Sequence, residues 1–585
     1  MTRVLCALLF FAAAGCGLGP SPLPSIVLIS IDTLRADHLS CYGYDRPTPS
    51  IDSLAALGVL YENAHASAPW TLPSHVSLFT GLYPSSHGVV DTDRSLPPAI
   101  AQLPEALKRH GYRTAGFGAH IYLGRNFGFG RGFDHYEITP YRNDPQEISR
   151  GDRIVTKGLQ WLDSRKADPR PFFLFLHIFD PHWAYAAPEP WIGKYSSNYV
   201  DRMDGSLPAL THFIDRPMPG ELRQHAIDLY DEEVAWTDAL IGRLMLELKA
   251  RSMSPMVVLV ADHGEEFKEH GSMGHAVTLY KEQTHVPLII VDPEGEQGQR
   301  VAAPVRTIDL VPTLAERVGI PSDDPIWQAL EGASLDRVDP ERPVVIETTR
   351  WGSSRSAVLL GDQKAISPSS YHWLGHWRRD GEVVREPVAH FEREAALYDL
   401  AADPNEATPL PWDPRAPAAL ALEDWQERTW RGIRVEMRIE KGLEAFICLH
   451  GDIVWRDQAK LDDGIRTLPV PIEGSLITLS NLPAGRNLRL DLPLEPTQLD
   501  SLEIEVSGDV LWIRAGKEEE RRLTAGGRWT IAASDPGDHH RGLPEGEAAV
   551  SRISVRTRSF EAVRAASELS EHDREVLRSL GYVDG

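Results

Sequence analysis

The sequence predicts an α/β fold with a mostly parallel sheet flanked by helices, followed by a smaller antiparallel β-sandwich. Three observations predict it. Continuous apolar runs rich in β-branched residues recur as far as residue 347. Helical periodicity lies between them. After about residue 410 the segments shorten, several alternate apolar and polar residues, and Gly, Pro and Asp punctuate them.

The elements follow in order. Residues 1–20 read MTRVLCALLFFAAAGCGLGP, with Arg3 ahead of an apolar run from Val4 to Ala14. That run is short of the ~20 residues a spanning helix needs, so a secretory signal is expected. Its ending, Ala13-Ala14-Gly15-Cys16, is similar to a bacterial lipobox, in which Cys16 is lipidated. The other reading is an ordinary signal cleaved near Ala14. Residues 1–24 are therefore expected to be a lipoprotein signal and tether. The expected location is the periplasm or outer membrane, with the chain held to the membrane by its lipid.

Residues 26–31, IVLISI, are β-branched at four of six positions, as suits a strand buried on both faces. PFFLFLH (171–177), PMVVLVA (255–261), PLIIV (287–291) and PVVIE (343–347) share that texture. Between them, Ile227, Tyr230, Val234, Ile241, Leu244 and Leu248 form one stripe of a helix over 222–250. Residues 25–409 are expected to form the α/β domain and 410–560 the β-sandwich. Residues 561–585 are expected to form a helical tail, with Ser570 and Asp573 at its start and Gly581 at its stop.

Composition excludes other classes. The 585 residues hold 60 Lys+Arg against 84 Asp+Glu, a net charge of −24. So acidic a chain is a poor nonspecific partner for nucleic acid. Four cysteines in this length exclude a disulfide scaffold.

The chemistry gathers at strand ends. IVLISI runs into Asp32, FFLFLH ends at His177 ahead of Asp180 and His182, and MVVLVA runs into Asp262 and His263. In parallel sheets, ligands bind beyond the carboxyl ends of strands. An Asp after one strand is often only a helix cap, but three such ends converge on one rim. Trp70-Thr71-Leu72-Pro73-Ser74-His75 opens a short helix expected over 73–80, with Thr71 just before it. A helix N-terminus favours an anion, and a metal-bound hydroxyl there is a competent nucleophile.

Together these segments resemble the sulfatase family of the alkaline phosphatase superfamily over about residues 25–409. The matching stretches are IVLISIDTLRADHLSCYGYDRPTPSID, APWTLPSHVSLFTGLYPSSHGV, ALKRHGYRTAGFGA, FFLFLHIFDPHWAY, VVLVADHGEEFKEHGSMGH, LYKEQTHVPLII and LYDLAADPNE. The resemblance implies an alkaline-phosphatase-like fold and a metal-dependent hydrolase or transferase of sulfate or phosphate esters. It assigns metal ligation to Asp32, Asp262 and His263, and the nucleophile to Thr71. There are departures. Thr71-Leu72-Pro73-Ser74-His75 replaces the Cys/Ser-x-Pro-Ser-Arg of formylglycine enzymes. Thr33 replaces a second aspartate, and the two lysine positions fall at Ala119 and His275. These point to the threonine branch, which includes phosphodiesterases, and favour phosphoesters.

The expected roles follow. Asp32, Thr71, Asp262 and His263 hold one divalent ion (Mn, Zn, Mg or Ca), the mixed donors suiting Zn²⁺ or Mn²⁺ better than Ca²⁺. A second ion would need Asp180, His182 and either His275 or His285, and one ion is the expectation. His182 and His275 protonate the leaving group or bind an oxyanion. His75 and His285 bind substrate. For His65, His120 and His177 packing weighs equally with lining the cleft, and Arg35 and Lys281 read as solvated surface as readily as anion contacts. The substrate is an anionic ester, with glycan- and lipid-linked esters both in view. Two other functions compete: a true sulfatase without formylglycine, and an inactive surface protein that binds a glycan or partner.

Overall fold

The computed structural model describes residues 23–429, apart from 93, 140–150, 197–202, 215, 349–354, 368–373, 380–381 and 388–394. Beyond 429 it describes the backbone of strands between 432 and 564. Cys16 and the expected tail helix lie outside the described residues.

Nine strands form the central sheet. They are β1 (Ile26–Ile31), β2 (Val59–His65), β3 (Arg113–Gly118), β4 (His135–Ile138), β5 (Phe172–Ile178), β6 (Met256–Ala261), β7 (His285–Val291), β8 (Gln299–Val301) and β9 (Val305–Arg306). Their order is β8-β2-β7-β6-β1-β5-β3-β4, with β9 also on β2. β1 sits at the centre, parallel to β5 and β6. All residues of β1, β5 and β6 are buried, as their unbroken apolar texture requires. One expectation is corrected here. β7, which holds PLIIV, runs antiparallel to both β6 and β2.

The helix carrying Thr71, α1 (Thr71–Thr80), begins two residues earlier than its sequence suggests, so Thr71 is its first residue. Pro73 is tolerated because the first N–H groups of a helix have no partner within it. All ten residues are buried. Gly81 ends the helix at φ +70, and a Cβ there would lie 2.6 Å from Leu330 Cδ2. Helix α2 (Gly220–Ala250) packs its apolar stripe inward and also buries a run of carboxylates. Asp231 meets His38 Nδ1 at 2.6 Å, and Glu232 accepts from the backbone of Gly193, Tyr195 and Ser196. Glu233 accepts from Ala186 N, and Asp238 from Ser50 and Ile51. These carboxylates tie the loops after β1 and β5 to one rigid helix.

PVVIE was expected in the parallel sheet. It instead forms β10 (Val344–Thr348), the edge of a separate antiparallel sheet with β11 (Arg355–Leu360), β12 (Gln363–Ile366) and β13 (Ala396–Asp399). One face of this sheet is covered by helix α3 (Pro417–Thr429), whose Ala418, Ala419, Leu422 and Trp425 join the same core as Val345, Val358 and Ala365, while Val344 and Ile346 pack on the other face. The packing of the first unit thus continues past residue 409 to α3. Further on, IRVEMRI, LRLDLPL and VLWIRAG contribute to a seven-stranded sheet, and SLITLSNL and SLEIEV to a five-stranded one. Every pairing in both is antiparallel.

Candidate active site

β1 and β6 are neighbours, so Asp32 and Asp262, each following its strand, emerge side by side. The carboxyl end of β5 adds His177, paired in register with Ser30. α1 is fastened to this rim by the Ser74 hydroxyl, which donates to Asp262 O at 2.6 Å.

Four of the expected residues meet. His263 Nε2 lies 3.3 Å from Thr71 Oγ1, 3.4 Å from Asp32 Oδ1 and 3.4 Å from Asp262 Oδ2. Asp262 divides its duties. Its Oδ1 accepts from Thr33 N and His263 N, while its Oδ2 has no hydrogen-bond partner. Neither oxygen of Asp32 has one. Both side chains are fully buried, and burial pushes both carboxyls well above the usual range. Bare carboxyl oxygens in a dry place are costly unless a cation meets them.

The residues fit a divalent ion. Donor atoms of Asp32, Asp262 and His263 all lie within 4.8 Å of one another. His263 Nδ1 faces Gly264 O at 3.0 Å and must carry its hydrogen there, which leaves the Nε2 lone pair toward the carboxylates. A second grouping, His75 with His177 and Asp262, is equally compact but fails chemically. His75 Nδ1 lies 2.9 Å from Thr71 O, so it too carries a hydrogen and offers no lone pair. His75 Nε2 meets the Ser30 hydroxyl at 2.9 Å. His75 is therefore a fully buried strut between β1 and α1, not the substrate contact expected from the sequence.

The remaining histidines divide into two settings. The ring centroid of His275 is 4.6 Å from that of His263 and 4.9 Å from that of His182. His120 stands 5.9 Å from His182. His285 is elsewhere, donating to Glu62 O at 2.9 Å and packing near His65 and Tyr42. It does not join the rings around Thr71, so its expected substrate contact finds no support. Asp180 is likewise occupied, because its Oδ2 accepts from Gly151 N at 2.7 Å and burial pushes its carboxyl up to about 6. The set expected for a second ion is not assembled. Burial holds His75, His120, His182 and His263 well below the usual imidazole range, so the rings are neutral at neutral pH.

Two residues gain importance over their sequence reading. His177 is fully buried, its Nε2 is 3.3 Å from Asp32 Oδ2, and neither ring nitrogen has a hydrogen-bond partner. Its signal was a polar residue ending an apolar strand. Glu265, which nothing singled out, accepts from His275 Nδ1 at 2.9 Å. Arg35, weighed as solvated surface or an anion contact, is buried and held by Asp37, Glu269 and the carbonyl of Glu265.

A protein-family model described as Sulfatase matches residues 24–320. The chain belongs to the sulfatase family. Its fold is accordingly alkaline-phosphatase-like, and it is an ester hydrolase of a family whose members use a metal ion. The uncharacterized sulfatase YidJ of Escherichia coli (strain K12) is 25% identical over 371 residues, covering 56% of this chain and 73% of that one. The Delta 4,5-hexuronate-2-O-sulfatase of Bacteroides thetaiotaomicron is 24% identical over 479 residues, covering 73% of this sulfatase-family chain and 94% of the relative. Among solved structures, the phosphonate monoester hydrolase of Agrobacterium radiobacter superposes with a TM-score of 0.54 at 20% identity, over 69% of this chain and 94% of that one.

Proposed function

We propose that this sulfatase-family hydrolase cleaves an anionic ester with Thr71 as nucleophile, through a covalent intermediate, and that it acts on phosphoesters ahead of sulfate esters. One observation carries the reading. A threonine, which cannot become formylglycine by the known route, is the first residue of α1 and places Oγ1 3.3 Å from His263 Nε2, beside the unpartnered oxygens of Asp32 and Asp262 Oδ2.

Asp32, Asp262, His263 and Thr71 would hold the ion, with Zn²⁺ or Mn²⁺ suited to their mixed donors. When bound, it supplies Lewis-acid stabilisation of the charge on the transferring group. The chain's residues do the rest. Thr71 Oγ1 attacks phosphorus, and the bond from phosphorus to the leaving oxygen breaks in line. Nε2 of His182 or His275 carries the Thr71 proton to that oxygen. Water then attacks the phosphothreonine, releases phosphate and restores Thr71. The names of the two relatives, a hexuronate-2-O-sulfatase and a phosphonate monoester hydrolase, support an anionic ester, with a sugar-linked one foremost. The first of them also favours the second reading, a sulfate-ester hydrolase without formylglycine.

The test compares 4-nitrophenyl phosphate, bis(4-nitrophenyl) phosphate and 4-nitrophenyl sulfate, with Zn²⁺ or Mn²⁺. Phosphoester turnover is expected. Thr71→Ala is expected to lose at least ~10³-fold and Thr71→Ser to stay within about tenfold of wild type. Sulfate turnover alone overturns the preference for phosphorus. No turnover on any ester supports an inactive binding protein. Export and a lipid on Cys16 belong to the same proposal. The mass of the mature N-terminal peptide distinguishes a lipidated Cys16 from cleavage near Ala14.

A further inference from the structure

Four active-site imidazoles share one device. Each has Nδ1 against an oxygen: His75 on Thr71 O, His182 on Trp183 O at 2.8 Å, His263 on Gly264 O, and His275 on Glu265 Oε1 at 2.9 Å. Three of these acceptors are backbone carbonyls, which have no proton and dictate a hydrogen on Nδ1. The fourth is a side chain, fully buried and aimed at the one imidazole that stands at a lysine position of the family pattern.

We propose that Glu265 is a positioning residue for His275. Its carboxylate fixes the ring plane and keeps the hydrogen on Nδ1, so that Nε2 faces the ester beside His263 and His182. Three facts on different elements support it. Glu265 follows the metal-ligand pair by two residues, so the strand end that places Asp262 and His263 also places this carboxylate. Its own carbonyl is clamped by Arg35 Nη1 at 3.0 Å. The His275 ring, 5% exposed, is packed between the rings of His263, His182 and Trp183, which leaves it few orientations other than the one Glu265 selects. A lysine needs no such partner because its ammonium rotates freely. An imidazole has one useful edge, which must be aimed.

This inference rests on the reading that His275 serves the ester, so its test is separated from the identity of that ester. Glu265→Ala, Glu265→Gln, His275→Ala and the double variant Glu265→Ala/His275→Ala are assayed on whichever 4-nitrophenyl ester the wild type turns over. Zinc content is measured for each. Glu265→Ala is expected to lose about 10–100-fold with zinc retained. Glu265→Gln is expected to recover part of this, since its amide oxygen still accepts from Nδ1. In the His275→Ala background, Glu265→Ala is expected to cost nothing further. An equal loss in both backgrounds overturns the proposal and leaves Glu265 a structural residue. A second readout needs no turnover. Histidine-selective ¹⁵N spectra are expected to show His275 with its hydrogen on Nδ1 in wild type and Glu265→Gln, and this signature lost in Glu265→Ala. A hydrogen on Nε2 in wild type overturns the proposal whatever the substrate is.

Discussion

Asp32 shows at single-residue scale what the site demands. Its two oxygens are buried and without hydrogen-bond partners, next to a second buried carboxylate. Without a cation the pair repels, and with one it is the strongest part of the rim. Zinc at 100 to 1,000 times its Kd is therefore expected to stabilise wild type by about 3–4 kcal/mol. Asp32→Asn reverses the order: in EDTA it melts above wild type, because a buried charge is gone, and in zinc it melts below. Thermal melts in the two buffers check this, and a wild type indifferent to zinc, manganese, magnesium and calcium alike would refute the ion site. The residues of this rim were legible in sequence because each follows a buried strand or opens a helix. The Nδ1 anchors of the imidazoles were not. Three are backbone carbonyls, which every residue carries, so no residue type announces them. His75 misled for the same reason. Its position in the motif suggested an anion contact, while Ser30 and the Thr71 carbonyl occupy both of its nitrogens.

At the scale of elements, side-chain carboxylates hold the loops in place. Asp324 accepts from Arg109 at 2.6 Å, from His110 at 3.0 Å and from Ile326 N at 2.9 Å, joining two segments distant in sequence. These partners hold its carboxyl down, at about 2. The folded value lies below the unfolded one of about 3.9, so the stabilisation is complete above pH 4 and is lost as pH falls through 2. With Arg109 41% exposed and screened, Asp324→Asn is expected to cost about 1–2 kcal/mol at pH 7. The gap to wild type closes toward pH 2, and denaturant titrations across that range check it. The helix over 222–250 was visible from its apolar stripe. Its buried acids were not, because nothing local in the sequence marks the loops that Asp231, Glu232, Glu233 and Asp238 bind. β7 misled in a related way. A strand buried on both faces has the same texture whether its neighbours run with it or against it.

For the whole molecule, the boundary between the first unit and the C-terminal sheets has a direct test. Trp425 Nε1 donates to Glu347 Oε1 at 2.9 Å, and Glu347 Oε2 accepts from Ser85 N at 2.8 Å, so α3 reaches through β10 to the segment just after α1. A chain ending at residue 429 is expected to melt cooperatively and to be stabilised by added zinc as the full chain is. One ending at 409 is expected to lose several kcal/mol, since four buried side chains of α3 leave the core that covers β10. Calorimetry of the two truncations distinguishes them. The sheet order carries one more consequence, for the sequence of events in folding. β2 is completed at residue 65, yet each of its partners, β7, β8 and β9, lies between residues 285 and 306. A chain that emerges N-terminus first thus leaves Val59–His65 with both edges open while more than 200 further residues follow. During that interval this strand is a ready template for pairing with another copy. One edge is covered only once β7 is made and the other only when β8 and β9 follow, so any helper that escorts the nascent chain has its most valuable task at those seven residues.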